Sequence, residues 1–201
     1  MAQTSTTLLA SKSHIANVSG TDISFTATGT EYKITSTSTS LSGFSVRDLI
    51  TVTGTTNNNK TFTVKTVTSA NQLIVEEIVS TETSDGSTTT TLDHTGFVSD
   101  KAKGDGYYSQ GDGTHTVVFN LTNRGDSTDD FNGTVKMQGS LATTPTEDDW
   151  FDIAGTSHTS DQSTTTVSSN FTGNFVWVRA KITTTNGTSN GAMITSILYN
   201  N

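Results

Sequence analysis

Asn174-Phe175-Val176-Trp177-Val178-Arg179-Ala180-Lys181-Ile182 alternates in steps of two. Val176, Val178, Ala180 and Ile182 share one face, and Phe175, Trp177, Arg179 and Lys181 share the other. A period of two with one apolar face marks a β-strand lying on a core. The pattern recurs on both sides of this stretch. Val117, Phe119 and Leu121 face away from Thr116, Asn120 and Thr122, and Val135, Met137 and Leu141 mark a strand over 134–141. Trp150, Phe151 and Ile153 follow the acidic turn Glu147-Asp148-Asp149, and Asn186-Gly187 predicts a turn into a last strand over 192–199. About six strands in roughly 90 residues predict a β-sandwich of jelly-roll or immunoglobulin type over 114–201.

The first half reads as shorter strands. Ile23, Phe25 and Ala27 alternate with Asp22, Ser24 and Thr26, and Tyr32 and Ile34 follow the turn Thr28-Gly29-Thr30. Leu49 to Gly54, Phe62 with Val64, Leu73 to Val79 and Thr88 to Leu92 continue the series, with Asp85-Gly86 as a hairpin signal. Such spacing predicts a small β-barrel or sandwich module over 21–97. Residues 1–20 read as a polar arm carrying Leu8, Leu9 and Ile15, and residues 98–113, rich in Gly and Asp, read as a linker. Tyr107 and Tyr108 within that linker argue that part of it packs on a domain. The chain is therefore expected to be all-β, with no solenoid or propeller repeat.

Composition narrows the function. Among 201 residues, 44 are Thr and 25 Ser, there is one Pro and no Cys, and the net charge is -8. A β-branched polar residue suits the solvent face of a strand, so the low hydrophobic fraction of 30% is compatible with a folded β protein. Absence of Cys excludes disulfide scaffolds, thiolate zinc sites and thiol chemistry. No apolar run approaches the roughly 18 residues of a membrane-spanning helix, and the start shows no secretory signal. Eleven scattered Lys and Arg give no cationic cluster for nucleic acid or for an anionic membrane.

Candidate chemistry is sparse. His14, His94, His115 and His158 fall on different expected elements, and neither a nucleophile elbow nor a zinc-protease motif occurs, so an enzyme is not expected. Two loops are acidic, one with Asp126, Asp129 and Asp130, the other with Glu147, Asp148, Asp149 and Asp152. Neither has EF-hand spacing, and the Gly-Asp-Gly triplets at 104–106 and 111–113 lack the apolar positions of calcium-binding β-rolls. Solvated loops explain them, and no metal or cofactor is expected. Trp150, Phe175, Trp177 and Arg179 offer two readings. They form a sugar-binding platform with Trp177 stacked on Arg179, or they lie in the core or at a subunit interface. The six Asn-x-Ser/Thr triplets are no more than a chain one-third Ser and Thr yields by chance.

Two stretches resemble known proteins. Ser42-Gly43-Phe44-Ser45-Val46-Arg47-Asp48-Leu49-Ile50-Thr51-Val52-Thr53-Gly54, followed by Asn57-Asn58-Asn59-Lys60-Thr61-Phe62-Thr63-Val64, resembles a small β module in virion proteins of tailed bacteriophages. Arg47 stands where that pattern usually carries Gly, and Lys60 where Gly often follows Asn. In this reading Asp48 caps a turn that feeds the Ile50/Val52 strand. Phe131 to Val135, Gly139 to Pro145, Asp149-Trp150-Phe151 and Gly173 to Ala180 resemble virion β-sandwich domains of marine tailed phages, cyanophages in particular. The resemblance implies a virion structural protein, assembled in the host cytoplasm and held on the outer surface of head or tail. A capsid decoration (cement) protein is the leading expectation, a homo-oligomer bound to the major capsid protein or other virion proteins, with Leu8, Leu9 and Ile15 as docking residues. A tail or neck accessory and a carbohydrate-binding adhesion module are the alternatives.

Overall fold

A computed structural model describes residues 5–123, 130–163, 165–184 and 194–201. The first strand is β1 (Thr6–Leu9). Then come β2 (Val18–Gly20), β3 (Ser24–Thr28), β4 (Glu31–Thr35), β5 (Asp48–Thr53), β6 (Thr61–Ser69), β7 (Gln72–Val75) and β8 (Thr90–Val98). The rest are β9 (Ala102–Lys103), β10 (Thr114–Leu121), β11 (Asn132–Ser140), β12 (Phe151–Asp152), β13 (His158–Asp161), β14 (Thr166–Thr172), β15 (Trp177–Thr184) and β16 (Ile194–Asn200). Two 3-10 turns, Asp105–Tyr108 and Glu147–Asp149, are the only helical pieces among the described residues. No helix there is long and apolar enough to cross a membrane.

The chain divides into two compact units. One is built from residues up to His14 and from Val98 onward, the other from Ile15–Phe97. In the first unit, one antiparallel sheet has the order β1-β16-β10-β14. The other places β12 and β13 along one side of β11, with β15 and then β9 on the opposite side. Because β12 and β13 run end to end along β11, they are two halves of one strand. Numbered along the chain with that strand counted once, the sheets read 1-8-3-6 and 2-7-4-5, the order of a jelly roll. From β10 onward every connection between these strands except that from β11 to β12 changes sheet, which an immunoglobulin sandwich does not do. Apolar positions alternate as the pleat requires, apart from a register shift between Asn120 and Leu121 that sets Ile194 three residues from Ile197. Val117, Phe119 and Leu121 of β10 and Ile194, Ile197 and Tyr199 of β16 are buried on one sheet, as are Val135, Met137, Val178, Ala180 and Ile182 on the other. The break between β12 and β13 is filled by buried Thr156, whose hydroxyl accepts from the Met137 N–H (3.0 Å) and donates to the Ile153 carbonyl (2.7 Å). A side chain thus completes a ladder the backbone leaves open.

The second unit occupies the connection between the first two jelly-roll strands. Its antiparallel order is β2-β8-β5-β6-β7-β4-β3. β6 pairs with β5 through Thr61–Thr63 and with β7 from Val64 onward. Phe25, Ile34, Ile50, Phe62, Leu73 and Leu92 lie at its centre and are essentially inaccessible to solvent. Asp48 closes the turn before β5, accepting from the Ser45 N–H at 2.7 Å. Arg47 sits at φ 72°, a left-handed conformation that favours glycine. Asn58 is fully buried in the loop that follows β5, and ties it to residues 80–82.

Three boundaries differ from the sequence reading. Residues 6–9 are not an arm, because β1 pairs with β16 and Leu8 is 1% exposed. Val18–Gly20 likewise pair with β8. Residues 98–113 are not a linker, because β9 pairs with β15 and Ser99 exchanges hydrogen bonds with Ala180. The Asn186-Gly187 turn and the loop residues Asp126 and Asp129 lie outside the described residues.

Candidate functional site

The outer face of the β15 sheet carries the expected site residues, rearranged. Register pairs Ser140 with Trp177, Gln138 with Arg179 and Lys136 with Lys181 across β11 and β15. Arg179 is the anchor, at 5% exposure. Its Nη1 and Nη2 donate to the two Glu147 carboxylate oxygens, both at 2.7 Å, and its Nε donates to Gln138 Oε1 at 3.0 Å. The guanidinium lies 4.3 Å from the Trp150 ring centroid. Glu147 reaches this position from the 3-10 turn Glu147–Asp149, which is held by Asp149 accepting from the Thr146 N–H and hydroxyl at 2.7 and 2.8 Å. Planar stacking plus a two-pronged carboxylate fixes the guanidinium in one plane.

Trp177 pairs with other groups. Its indole N–H donates to the Thr143 carbonyl at 3.0 Å. Its ring meets Tyr107 edge-on, with centroids 5.0 Å apart, and Tyr107 meets Tyr108 the same way at 5.3 Å. Lys101 Nζ lies 4.5 Å over Trp177, and Lys103 Nζ lies 4.0 Å from the Tyr107 centroid and 5.7 Å from that of Tyr108. The 3-10 turn Asp105–Tyr108 follows β9 and carries both Tyr to the surface, where they are 44% and 53% exposed. Beside them runs a groove of about 390 Å³, lined in part by Lys101, Lys103, Tyr108, Trp177 and Tyr199.

The expected Trp177–Arg179 stack is therefore replaced by Trp150–Arg179 and Trp177–Tyr107. Phe175 also leaves the outer face. Its N–H closes a tight turn onto the Gly173 carbonyl, two residues before β15 begins, so the strand's alternation does not reach it. The ring instead packs near His115, Phe151 and Phe171, at centroid distances of 6.0 to 6.2 Å. A Cβ on Gly139 would approach that ring to 2.6 Å, so glycine makes the room. Leu8 and half-buried Leu9 are sheet residues of the jelly roll, and Ile15 packs against the core of the second unit.

Farther along the same face, Lys136 donates to Asp152 at 2.6 Å and Gln138 donates to it at 2.9 Å. Burial opposes ionisation of the Asp152 carboxyl, yet these two bonds hold it below its ordinary range. Burial, reinforced by the charges of Lys136 and Arg179, lowers the Lys181 ammonium from its ordinary value.

The two Gly-Asp-Gly triplets converge on a third feature. Asp105, Asp112 and His115 present ligand-type atoms within 4.8 Å of one another. Each already has a partner. Gly113 N–H donates to Asp105 at 2.6 Å, Gly173 N–H donates to Asp112 at 2.6 Å, and His115 bonds the Gly173 carbonyl at 3.1 Å and the Tyr199 hydroxyl at 2.7 Å. Burial and the nearby Asp105 charge push the Tyr199 phenol well above its usual range. This network ties the 105–113 segment to β10, β16 and the end of β14. Lys101, Lys103, Tyr107 and Tyr108 were missed as site residues, although two adjacent Tyr in a Gly-rich stretch were their signal. No family model, no curated protein and no solved structure matches the chain.

Proposed function

We propose that the protein is a structural component of the surface of a tailed-phage virion, acting as a decoration protein on the outside of the assembled capsid. The observation that carries this reading is the jelly roll with a second β unit threaded between its first two strands. Jelly rolls recur in capsid and lectin domains, which is a fold-level argument. The left-handed Arg47 adds support, because glycine, which the phage pattern this stretch resembles usually carries there, favours that conformation. Since Leu8, Leu9 and Ile15 are packed within the chain's own units, docking falls to a folded surface instead of a free arm. Repetition over many lattice sites then supplies strength by avidity.

Quantitative mass spectrometry of purified particles tests this reading against the major capsid protein. Hundreds of copies per particle are expected. A handful, set by cyclic symmetry, would instead mean a tail or neck accessory. Absence from particles would overturn the virion reading.

A further inference from the structure

We propose that the groove beside β9 and β15 binds an anionic saccharide, with a pyranose ring laid against Tyr108 and its carboxylate or sulfate held by Lys101 and Lys103. This takes up the carbohydrate alternative, moves it from Trp150 to a different set of residues, and gives the ligand a charge.

Four observations converge. Tyr107 and Tyr108 are among the few large side chains the fold leaves in water, at 44% and 53% exposure, and they stand side by side. Flat aromatic rings suit the C–H faces of sugars, whereas Trp150 already has Arg179 over it. The two ammoniums are positioned by the rings: Lys101 by Trp177, and Lys103 by Tyr107 and Tyr108. A cation held over a ring keeps its N–H donors for a ligand and has less side-chain freedom left to lose on binding.

The third observation is charge. The protein carries -8, yet the described side chains lining this groove include two ammoniums and no carboxylate. That local reversal attracts a single anionic group, while the surrounding negative field works against a long polyanion such as nucleic acid. The fourth is size. About 390 Å³ falls at the lower end of small-ligand sites, suited to one or two sugar rings. Lysine binds as a point charge and does not by itself separate carboxylate from sulfate.

The test titrates the isotope-labelled full chain with three probes, followed by amide and indole NMR shifts. They are a trisaccharide of galacturonate, a heparin-derived tetrasaccharide and neutral maltotriose. Shifts confined to Lys101–Tyr108 and the Trp177 indole are expected with at least one acidic probe, and which of the two binds identifies the anion. K101Q/K103Q should weaken that binding at least about tenfold, and Y108A by a similar factor. Thermal melts of both variants check that these surface changes leave the fold intact. The proposal is overturned if neither acidic probe shifts these residues, if the double variant binds as tightly as the parent, or if maltotriose binds equally well. None of these results depends on particle copy number, so the two proposals fail separately.

Discussion

Replacing Glu147 by Gln keeps the shape of the Arg179 pocket and removes its only opposing charge at bonding distance among the described residues. The guanidinium is 5% exposed and cannot turn to water. Unit charges about 4 Å apart attract by ~4 kcal/mol at an effective dielectric near 20. Part of that is offset by desolvation, and solvent reaches the Glu147 side chain, which is 20% exposed. Breaking a fully buried pair costs ~3–5 kcal/mol, so E147Q is expected to cost about 2 kcal/mol. R179M and E147L should each cost a similar amount. R179M/E147L should recover much of it, because neither charge is then stranded, giving a coupling of roughly 1.5–2 kcal/mol. Denaturant curves followed by selectively excited tryptophan fluorescence measure this cleanly. Both tryptophans, Trp150 and Trp177, belong to the jelly-roll unit, so the signal reports that unit alone. The cost should persist in high salt, since a buried pair is weakly screened. Strictly additive single costs, with coupling below about 0.5 kcal/mol, would refute the reasoning.

Other expectations concern the inserted unit. R47G should be more stable than R47A by about 1 kcal/mol in urea unfolding, because both lose the same side chain and only Gly relaxes at φ 72°; equal stability would count against a strained turn. N58A should cost about 2–3 kcal/mol, since buried Asn58 donates to the Ser80 carbonyl and to Glu82, both at 3.0 Å, and accepts from the Ser80 N–H at 2.9 Å. N58D should be worse, setting an acceptor against a carbonyl and a carboxylate. Acid should also weaken this unit. The Thr39 hydroxyl and the Ser38 and Thr39 N–H groups hold Asp22 well below the carboxylate range, and the Thr88 and Ser87 N–H groups do the same for Asp85. The Thr56 N–H leads the bonds that lower Glu82, outweighing burial. Folded values below unfolded ones mean the unfolded chain takes up protons first. This stability is thus complete above the unfolded values near pH 4 and lost as pH falls below them. Urea midpoints by far-UV circular dichroism that stay flat from pH 7 to 3 would contradict this.

Strands whose partners could be inferred from one alternating face were legible in the sequence. Val117/Phe119/Leu121, Val135/Met137 and Val178/Ala180/Ile182 mark β10, β11 and β15 because burial on one face writes itself as a period of two. β1 was not legible. Thr6-Thr7-Leu8-Leu9 has too little period, and its strand partner among the described residues is the distant β16, so nothing local specifies it. β9 is two residues long, below any periodic signal. Phe175 departs from the alternation because the backbone turns at Gly173, before β15 begins. Within the site, alternation places Trp177 and Arg179 on one strand face, but their partners arrive from β9, the 105–108 turn and the 147–149 turn. Such convergence depends on strand order, which local pattern does not encode.

The threading of one unit through another also dictates an order of events during synthesis. Residues 15–97 are contiguous, so that unit can complete its sheet as soon as they leave the ribosome. β1, made before it, must wait as an unpaired edge, because its neighbour in the jelly-roll sheet among the described residues is β16, made after all the other described strands. Closure therefore depends on a pairing of very large sequence separation, which is slow. Until it forms, Thr6–Leu9 presents open hydrogen-bonding groups to other nascent chains. Where many copies are made at once, a polar first strand, with Thr6 and Thr7 ahead of Leu8, reduces the risk of pairing with the wrong copy.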